Sequence, residues 1–328
     1  MKRRVLLLAL AAAAQARAQA DWRRVAVPYL TPQAWLESLD ANWYAPRSAE
    51  FAQAAKRLAD TLATSCAQAP ARTAWRDAML AWERLSAVQT GALIERPNGQ
   101  SVARTLDFQP TRPAAIERAM AAPDKDIALA GAPALGLPAL EWLLWRTPLR
   151  DGSPACAYAR RVALHLSTEA RALATAFATP RERDEETAER DFGSLLSQLV
   201  GGVNTLRWAQ IGKPRREGRS AWPRAASGLT QQAWQARAQA LQQLLSYHAD
   251  ANAPVALEPF LRGRGLNPLA DRVRQGSERA AAAVARTAPG RGSTVAAEQS
   301  LSALEHVIGD EVAPALQVTI GFSDADGD

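Results

Sequence analysis

The chain has little of what cofactor-handling proteins usually carry. Its 328 residues include three histidines (His165, His248, His306) and two cysteines (Cys66, Cys156), with no CxxC and no Cys/His cluster. A structural zinc site, which needs four such ligands, is therefore unsupported. There is no Gly-rich phosphate loop, no dinucleotide fingerprint and no Ser/His/Asp order with supporting context. Alternating Val/Ile/Thr patterns are almost missing, which excludes a sheet-based fold. Lysine is scarce too: Lys2, Lys56, Lys125 and Lys213 are the only four among 39 basic residues. An Ala- and Arg-rich composition accounts for that bias without a nucleic-acid partner.

The one long apolar run lies at the start. Lys2, Arg3 and Arg4 precede Val5 to Ala14, and Ala18-Gln19-Ala20 follows as a small-residue cleavage site. This pattern predicts a secretory signal peptide over 1–20, cut before Asp21, and not a spanning helix. No cysteine follows the run, which argues against a lipid anchor, so a soluble periplasmic protein is expected. Loss of Lys2, Arg3, Arg4 and Arg17 takes the formal net charge from +6 to +2. The high pI then says little for nucleic acid or anionic membrane. In an oxidising compartment, Cys66 and Cys156 are candidates for a disulfide, with two buried thiols as the alternative.

Helical periodicity fills the rest. Apolar residues recur at three- and four-residue steps in Phe51-Ala55-Leu58-Leu62, in Trp75-Met79-Trp82-Leu85 and in Ala159-Val162-Leu166-Leu173-Phe177. The same spacing runs through Phe192-Leu195-Leu199-Val203-Leu206, Trp234-Leu241-Leu245-His248 and Leu266-Leu269-Val273-Ala280-Val284. The expected fold is all-α. Breaks fall at Pro97-Asn98-Gly99, at 151–154 and across 213–228. That last stretch reads as a long irregular loop holding Lys213, Arg215, Arg216, Arg219, Arg224 and Trp222. About three hundred residues suit two helical domains better than one, with bundles expected over 21–150 and 151–328.

The segment Gly136-Leu137-Pro138-Ala139-Leu140-Glu141-Trp142-Leu143-Leu144-Trp145 carries the clearest local signal. It reads as a helix opened by glycine and started by proline, whose missing N–H has no partner there anyway. Glu141 is expected in the first turn, where the helix dipole favours a carboxylate by roughly 0.3–1 kcal/mol.

This segment resembles the G-x-H-x-x-E motif and following Leu-Leu-aromatic run of imelysin-like proteins, a family classified among the metallopeptidases. Arg104 to Arg112 is similar to the loop that precedes the motif in that family. Trp75 to Trp82 is similar to its aromatic helix, and Ile211-Gly212-Lys213-Pro214 to its Ile-Gly-Lys-Pro element. Gly321-Phe322 with the Asp-Gly-Asp end is similar to its C-terminus. The resemblance implies a two-domain, all-helical protein of about four helices per half, with a site in the cleft between them. It also implies a place in the periplasm or on the outer membrane and a link to iron uptake, with an iron-uptake component or outer-membrane receptor as partner.

One departure matters. Pro138 stands where the family motif has histidine. His and Glu three apart on a helix share a face and can ligate one metal; proline offers no ligand atom. Glu141 alone falls short of the three or four ligands of a tight site. The candidate ligand-binding set is Gly136, Pro138, Glu141, Arg104, Arg112, Arg224 and Glu83, with Arg104 and Arg112 expected to orient Glu141. Glu141 is also the candidate metal ligand of this set, and iron the cofactor in view. The function expected is a non-catalytic, ligand-binding accessory in iron or other metal acquisition. The alternative is a structural or interaction protein with no small ligand. Peptidase activity ranks last, because no metal-bound water and general base can be assembled.

Three weaker candidates remain. His165 and His248 read as packed or capping residues. His306 and Asp310, in the dense run Glu305-His306 and Asp310-Glu311, are i,i+4 neighbours able to share a cation. Asp324, Asp326 and Asp328 lack the rest of a calcium loop.

Overall fold

The computed structural model describes residues 27–94, 101–122, 126–218, 222–250, 252–290 and 292–320. The expected signal peptide, the Pro97-Asn98-Gly99 break, Arg219, Gly321-Phe322 and the acidic end lie outside them. The described residues contain no strand, and the fold is all-α. No helix among them is long and apolar enough to cross a membrane.

The helices used below are α1 (Pro32–Leu39), α2 (Ala45–Thr64), α3 (Gln68–Leu85), α4 (Val102–Leu106), α5 (Pro113–Met120), α6 (Gly136–Arg146) and α7 (Pro154–Ala178). They continue with α8 (Glu185–Asn204), α9 (Lys213–Glu217), α10 (Thr230–Leu245), α11 (Leu257–Arg262), α12 (Asn267–Ala285) and α13 (Ser293–His306). Their starts follow local chemistry. Thr31, Ser153 and Asp184 each accept a backbone N–H three residues on, at 3.1, 3.2 and 2.8 Å. These caps hold the first turns of α1, α7 and α8.

The sequence stripes are the buried faces. Phe51, Leu58 and Leu62 of α2 and Trp75, Met79 and Trp82 of α3 are almost wholly shielded, each contributing about 1.5–3 kcal/mol of burial. Helices α2, α3, α6 and α7 form one packed group; α8, α10, α12 and α13 form another, with α1 lying on α8. The boundary expected at 150 therefore divides helices that pack together. Helix α7 packs chiefly on α2, and Cys66, just before α3, is joined by a disulfide to Cys156 in the first turn of α7. The two groups meet where α3 runs along α10 and where Gly202 of α8 lies against the turn that follows α3. There Gly202 comes so near that a Cβ would stand 2.2 Å from the Ala87 carbonyl oxygen.

Three prolines are preceded by wide turns, Pro214 in the stretch expected as a loop among them. π-Helical segments at Asp40–Tyr44, Thr205–Gly212 and Val307–Val312 each run into a helix with proline in its first two positions: Pro46, Pro214 and Pro314. Proline lacks an N–H and its ring crowds the carbonyl four residues back. An extra residue in the preceding turn relieves both conflicts. So 213–228 is not one loop. Lys213–Glu217 is helical, and 222–228 is a tightly wound turn in front of α10.

Candidate functional site

Helix α6 begins at Gly136 with φ +71°, and a Cβ there would lie 2.3 Å from the Leu106 carbonyl oxygen. Only glycine fits both the backbone and the space. Glu141 then falls in the second turn, not the first as expected, and no acidic residue stands in the first turn. Its carboxylate has another partner: Oε1 accepts the backbone N–H of Ser227 at 2.8 Å and the Ser227 hydroxyl at 2.7 Å. Glu141 is buried at 4% exposure.

Ser227 belongs to the 222–228 turn. This turn closes through Leu229 N to Arg224 O (3.2 Å) and Thr230 Oγ1 to Pro223 O (2.7 Å). Arg76 of α3 anchors it from outside, donating to the Ser227 carbonyl at 3.2 Å while its guanidinium faces the Trp145 ring. The turn drives Arg224, at φ +63°, into the junction between the helix groups.

Arg224 is 2% exposed and meets two carboxylates. Its NH1 donates to Asp107 Oδ1 at 2.8 Å, and its NH2 reaches both Asp107 Oδ2 and Glu83 Oε1, the latter at 3.0 Å. Trp82 Nε1 and Gln109 Nε2 also donate to Asp107, at 3.0 and 3.2 Å. Glu83, fully buried, takes Arg237 Nε at 2.9 Å and Gln210 Nε2 at 3.3 Å on its other oxygen. Arg237 in turn holds Ser86 through its carbonyl and hydroxyl, at 3.1 and 2.8 Å.

Burial alone would raise the Asp107 carboxyl, but the charge and hydrogen bonds of Arg224, with Gln109 and Trp82, hold it below the ordinary carboxylate range. Burial would likewise weaken the Arg224 cation, yet Asp107, Glu83 and Glu141 outweigh it and raise its affinity for the proton. Such a network costs much desolvation, so its presence does not by itself add stability. Removing one partner from it is expensive, about 3–5 kcal/mol.

Of the sequence candidates, Gly136, Glu141, Arg224 and Glu83 come together here, and Pro138 is buried in the same helix start. Arg104 and Arg112 do not orient Glu141. Arg104 is exposed over the Phe108 ring, and Arg112 is exposed ahead of α5. Their segment instead sends Asp107 inward. Asp107, Ser227, Gln210 and Arg237 were not singled out in the sequence. Arg237 had a visible signal, a charge on the apolar stripe between Trp234 and Leu241; Asp107 and Ser227 had none. The expected cleft is a filled junction at these residues.

The residues do not fit the metal that the family motif implies. Pro138 has no donor atom, one Glu141 oxygen is taken twice by Ser227, and guanidinium groups stand against the other carboxylates. Among the described residues, Cys66, Asp151 and Cys156 are the one group of three or more His/Cys/Asp/Glu side chains whose ligand atoms converge, and there the sulfurs are bonded to each other. His165 is half-buried on α7. His248 lies beyond the end of α10, exposed, not on its apolar face as expected. His306 is exposed and 2.8 Å from Asp310, while Glu305 is paired with Arg207 at 2.6 Å.

No curated protein matches the chain. Solved structures share its fold. An imelysin-like protein from Psychrobacter arcticum aligns with a TM-score of 0.72 at 17% identity, covering 91% of this chain and 100% of its own. A Parabacteroides distasonis protein described as an iron-regulated protein A precursor aligns with a TM-score of 0.67 at 13% identity, covering 89% of this chain and 98% of its own. The imelysin profile, classed as peptidase M75, matches residues 40–310. The glycine-opened α6 with its glutamate, set against the other helix group, thus belongs to a chain that is a member of the imelysin family.

Proposed function

We propose that this protein is an exported, non-catalytic member of the imelysin family that serves iron acquisition as a ligand-binding accessory, meeting iron in chelated or protein-held form. The observation that carries this reading is the fate of the motif. The ligand-capable residue left in it, Glu141, is 4% exposed and holds Ser227. A carboxylate so engaged, beside a proline, neither grips a bare transition ion nor activates a water. The basic, apolar and small-residue order of 1–20 supports export, and the Cys66–Cys156 bridge suits an oxidising compartment. The iron link rests on family and on the description of the Parabacteroides relative. An outer-membrane receptor is the partner class that such a role calls for.

Calorimetric titration of the mature protein with ferric, ferrous and zinc ions tests the reading. No sub-micromolar site is expected, and incubation with an unfolded protein substrate should give no chelator-sensitive cleavage. A tight site lost in Glu141→Ala, or such cleavage, would overturn it. A second reading, a structural or interaction protein without small ligand, is favoured by the burial of Glu83, Arg224 and Glu141 between helix groups. Growth of a deletion strain on chelated iron separates the two. A defect restored by the wild-type gene supports the accessory role, and unchanged growth supports the second reading.

A further inference from the structure

Among the described residues, Arg224 and Gln317 are the two non-glycine positions with positive φ, and Arg224 alone of them is buried. An L-residue is held in that conformation only where its surroundings over-determine it. The surroundings of the Arg224 guanidinium are oxygens. Both Asp107 oxygens and Glu83 Oε1 accept from it, and Glu141 adds its field. Gln210, 7% exposed, bonds Glu83 through Nε2 and has a buried Oε1 with no partner. Two carboxylates set about one positive charge, with a buried, unpartnered amide oxygen on the residue that bonds Glu83, are the donor types that hold oxygen-preferring divalent ions such as Ca2+ or Mn2+.

We infer that Arg224 is a built-in cation, standing between Glu83 and Asp107 where a bound ion would otherwise be required, so that its removal uncovers a latent site for an oxygen-preferring divalent cation. The inference does not depend on the iron-related reading, since it concerns carboxylates outside the family motif. Without Arg224, Asp107 loses its ionic partner and Glu83 keeps Arg237 and the amide of Gln210 on its other oxygen. Buried carboxylates left so are driven to protonate, move apart or recruit another cation. Lysine would not substitute. A point charge lacks the planar fork that reaches both oxygens of Asp107 and one of Glu83, and its β-carbon keeps the unfavourable φ.

Arg224→Gly is the test, because glycine accepts the turn's φ while the side chain and its charge are removed. Thermal unfolding is followed in millimolar Ca2+, Mn2+ or guanidinium, against sodium chloride of equal ionic strength. The variant should melt below wild type. Each of the three cations should raise its Tm by about 3–6 °C at a hundredfold excess over Kd, with wild type unmoved. The double variant Arg224→Gly/Asp107→Asn has one carboxylate fewer and should not respond. If Arg224→Gly does not fold alone, its refolding yield is measured with and without the same cations, and recovery is expected. No response in either assay would overturn the inference. So would a double variant responding as strongly as the single one. A response to guanidinium but to neither metal ion would also overturn it, since shape and not charge would then hold the pair.

Discussion

Ser227 gives both of its donors to a single oxygen of Glu141, the backbone N–H at 2.8 Å and the hydroxyl at 2.7 Å. One carboxylate oxygen on α6 thereby fixes the turn that carries Arg224, and the Arg224 guanidinium reaches Glu83 on α3 and Asp107 after α4. The motif glutamate has become part of a bracket between two helix groups. Its chemistry is that of an acceptor already in use.

Removing the hydroxyl tests how much that bracket holds. Ser227→Ala keeps the N–H bond and loses a hydrogen bond to a charged acceptor, worth about 1.5–3 kcal/mol. The urea midpoint should fall accordingly with an unchanged slope. A loss below measurement would mean that the backbone N–H alone holds Glu141.

Gly136→Ala should be more damaging. The new Cβ would meet the Leu106 carbonyl at 2.3 Å and sit at φ +71°. Neither atom is at the end of a flexible side chain, so α4 or the start of α6 must move. A loss above about 3 kcal/mol is expected, read as a fall in Tm or as insoluble expression. A variant as stable as wild type would show that the α4–α6 approach is slack.

Most of the fold was legible because apolar spacing is a direct print of burial. The Phe51 and Trp75 stripes fall on the hidden faces of α2 and α3. Grouping was not legible. Residue 150 looked like a boundary because Asp151-Gly152-Ser153-Pro154 is turn chemistry, yet it joins two helices of one group. Pro214 looked like a break because a turn widened by one residue leaves no mark in composition. At the site, Glu83 could be picked because it follows Trp82 on the aromatic helix that the resemblance marks. Arg104 and Arg112 were chosen by charge, and charge does not say which way an irregular segment turns its side chains. Asp107, between them, is the residue that points inward.

Acid should act on the bracket through Asp107. Its folded carboxyl titrates below the unfolded value of about 3.9. The unfolded chain therefore binds more protons in that interval. The stabilisation is fully present above the unfolded value and is lost as pH falls through the folded one. Stability measured by urea unfolding should drop below about pH 4. Asp107→Asn should be less stable at neutral pH and show a shallower acid limb. An acid limb identical to that of wild type would mean that other carboxylates, such as Glu50 beside Arg84 and Arg47, carry the effect.

The Cys66–Cys156 bridge closes a loop of sequence separation 90. By chain entropy, a loop of this length is worth about 4–5 kcal/mol, and measured values usually run nearer 2–4. Cys66→Ala/Cys156→Ala should lose about that much, with a matching shift on full reduction of wild type. Because both cysteines are buried at 1% exposure, reduction of the folded protein should be slow until denaturant is added. Rapid reduction under native conditions would show that the α3–α7 junction opens locally.

Restoring the motif residue asks whether proline alone removed the metal. Pro138→His would place an imidazole three residues before Glu141, on the same helix face. It would still supply two donors where a tight zinc site takes three or four, and one Glu141 oxygen would remain bonded to Ser227. Calorimetry should therefore find no sub-micromolar zinc site in Pro138→His. Adding Ser227→Ala frees part of the carboxylate and should improve affinity while leaving the site incomplete. A sub-micromolar site in the single variant, abolished by Glu141→Ala, would mean that further ligands are already poised in the junction and that the missing imidazole alone kept them from closing on an ion.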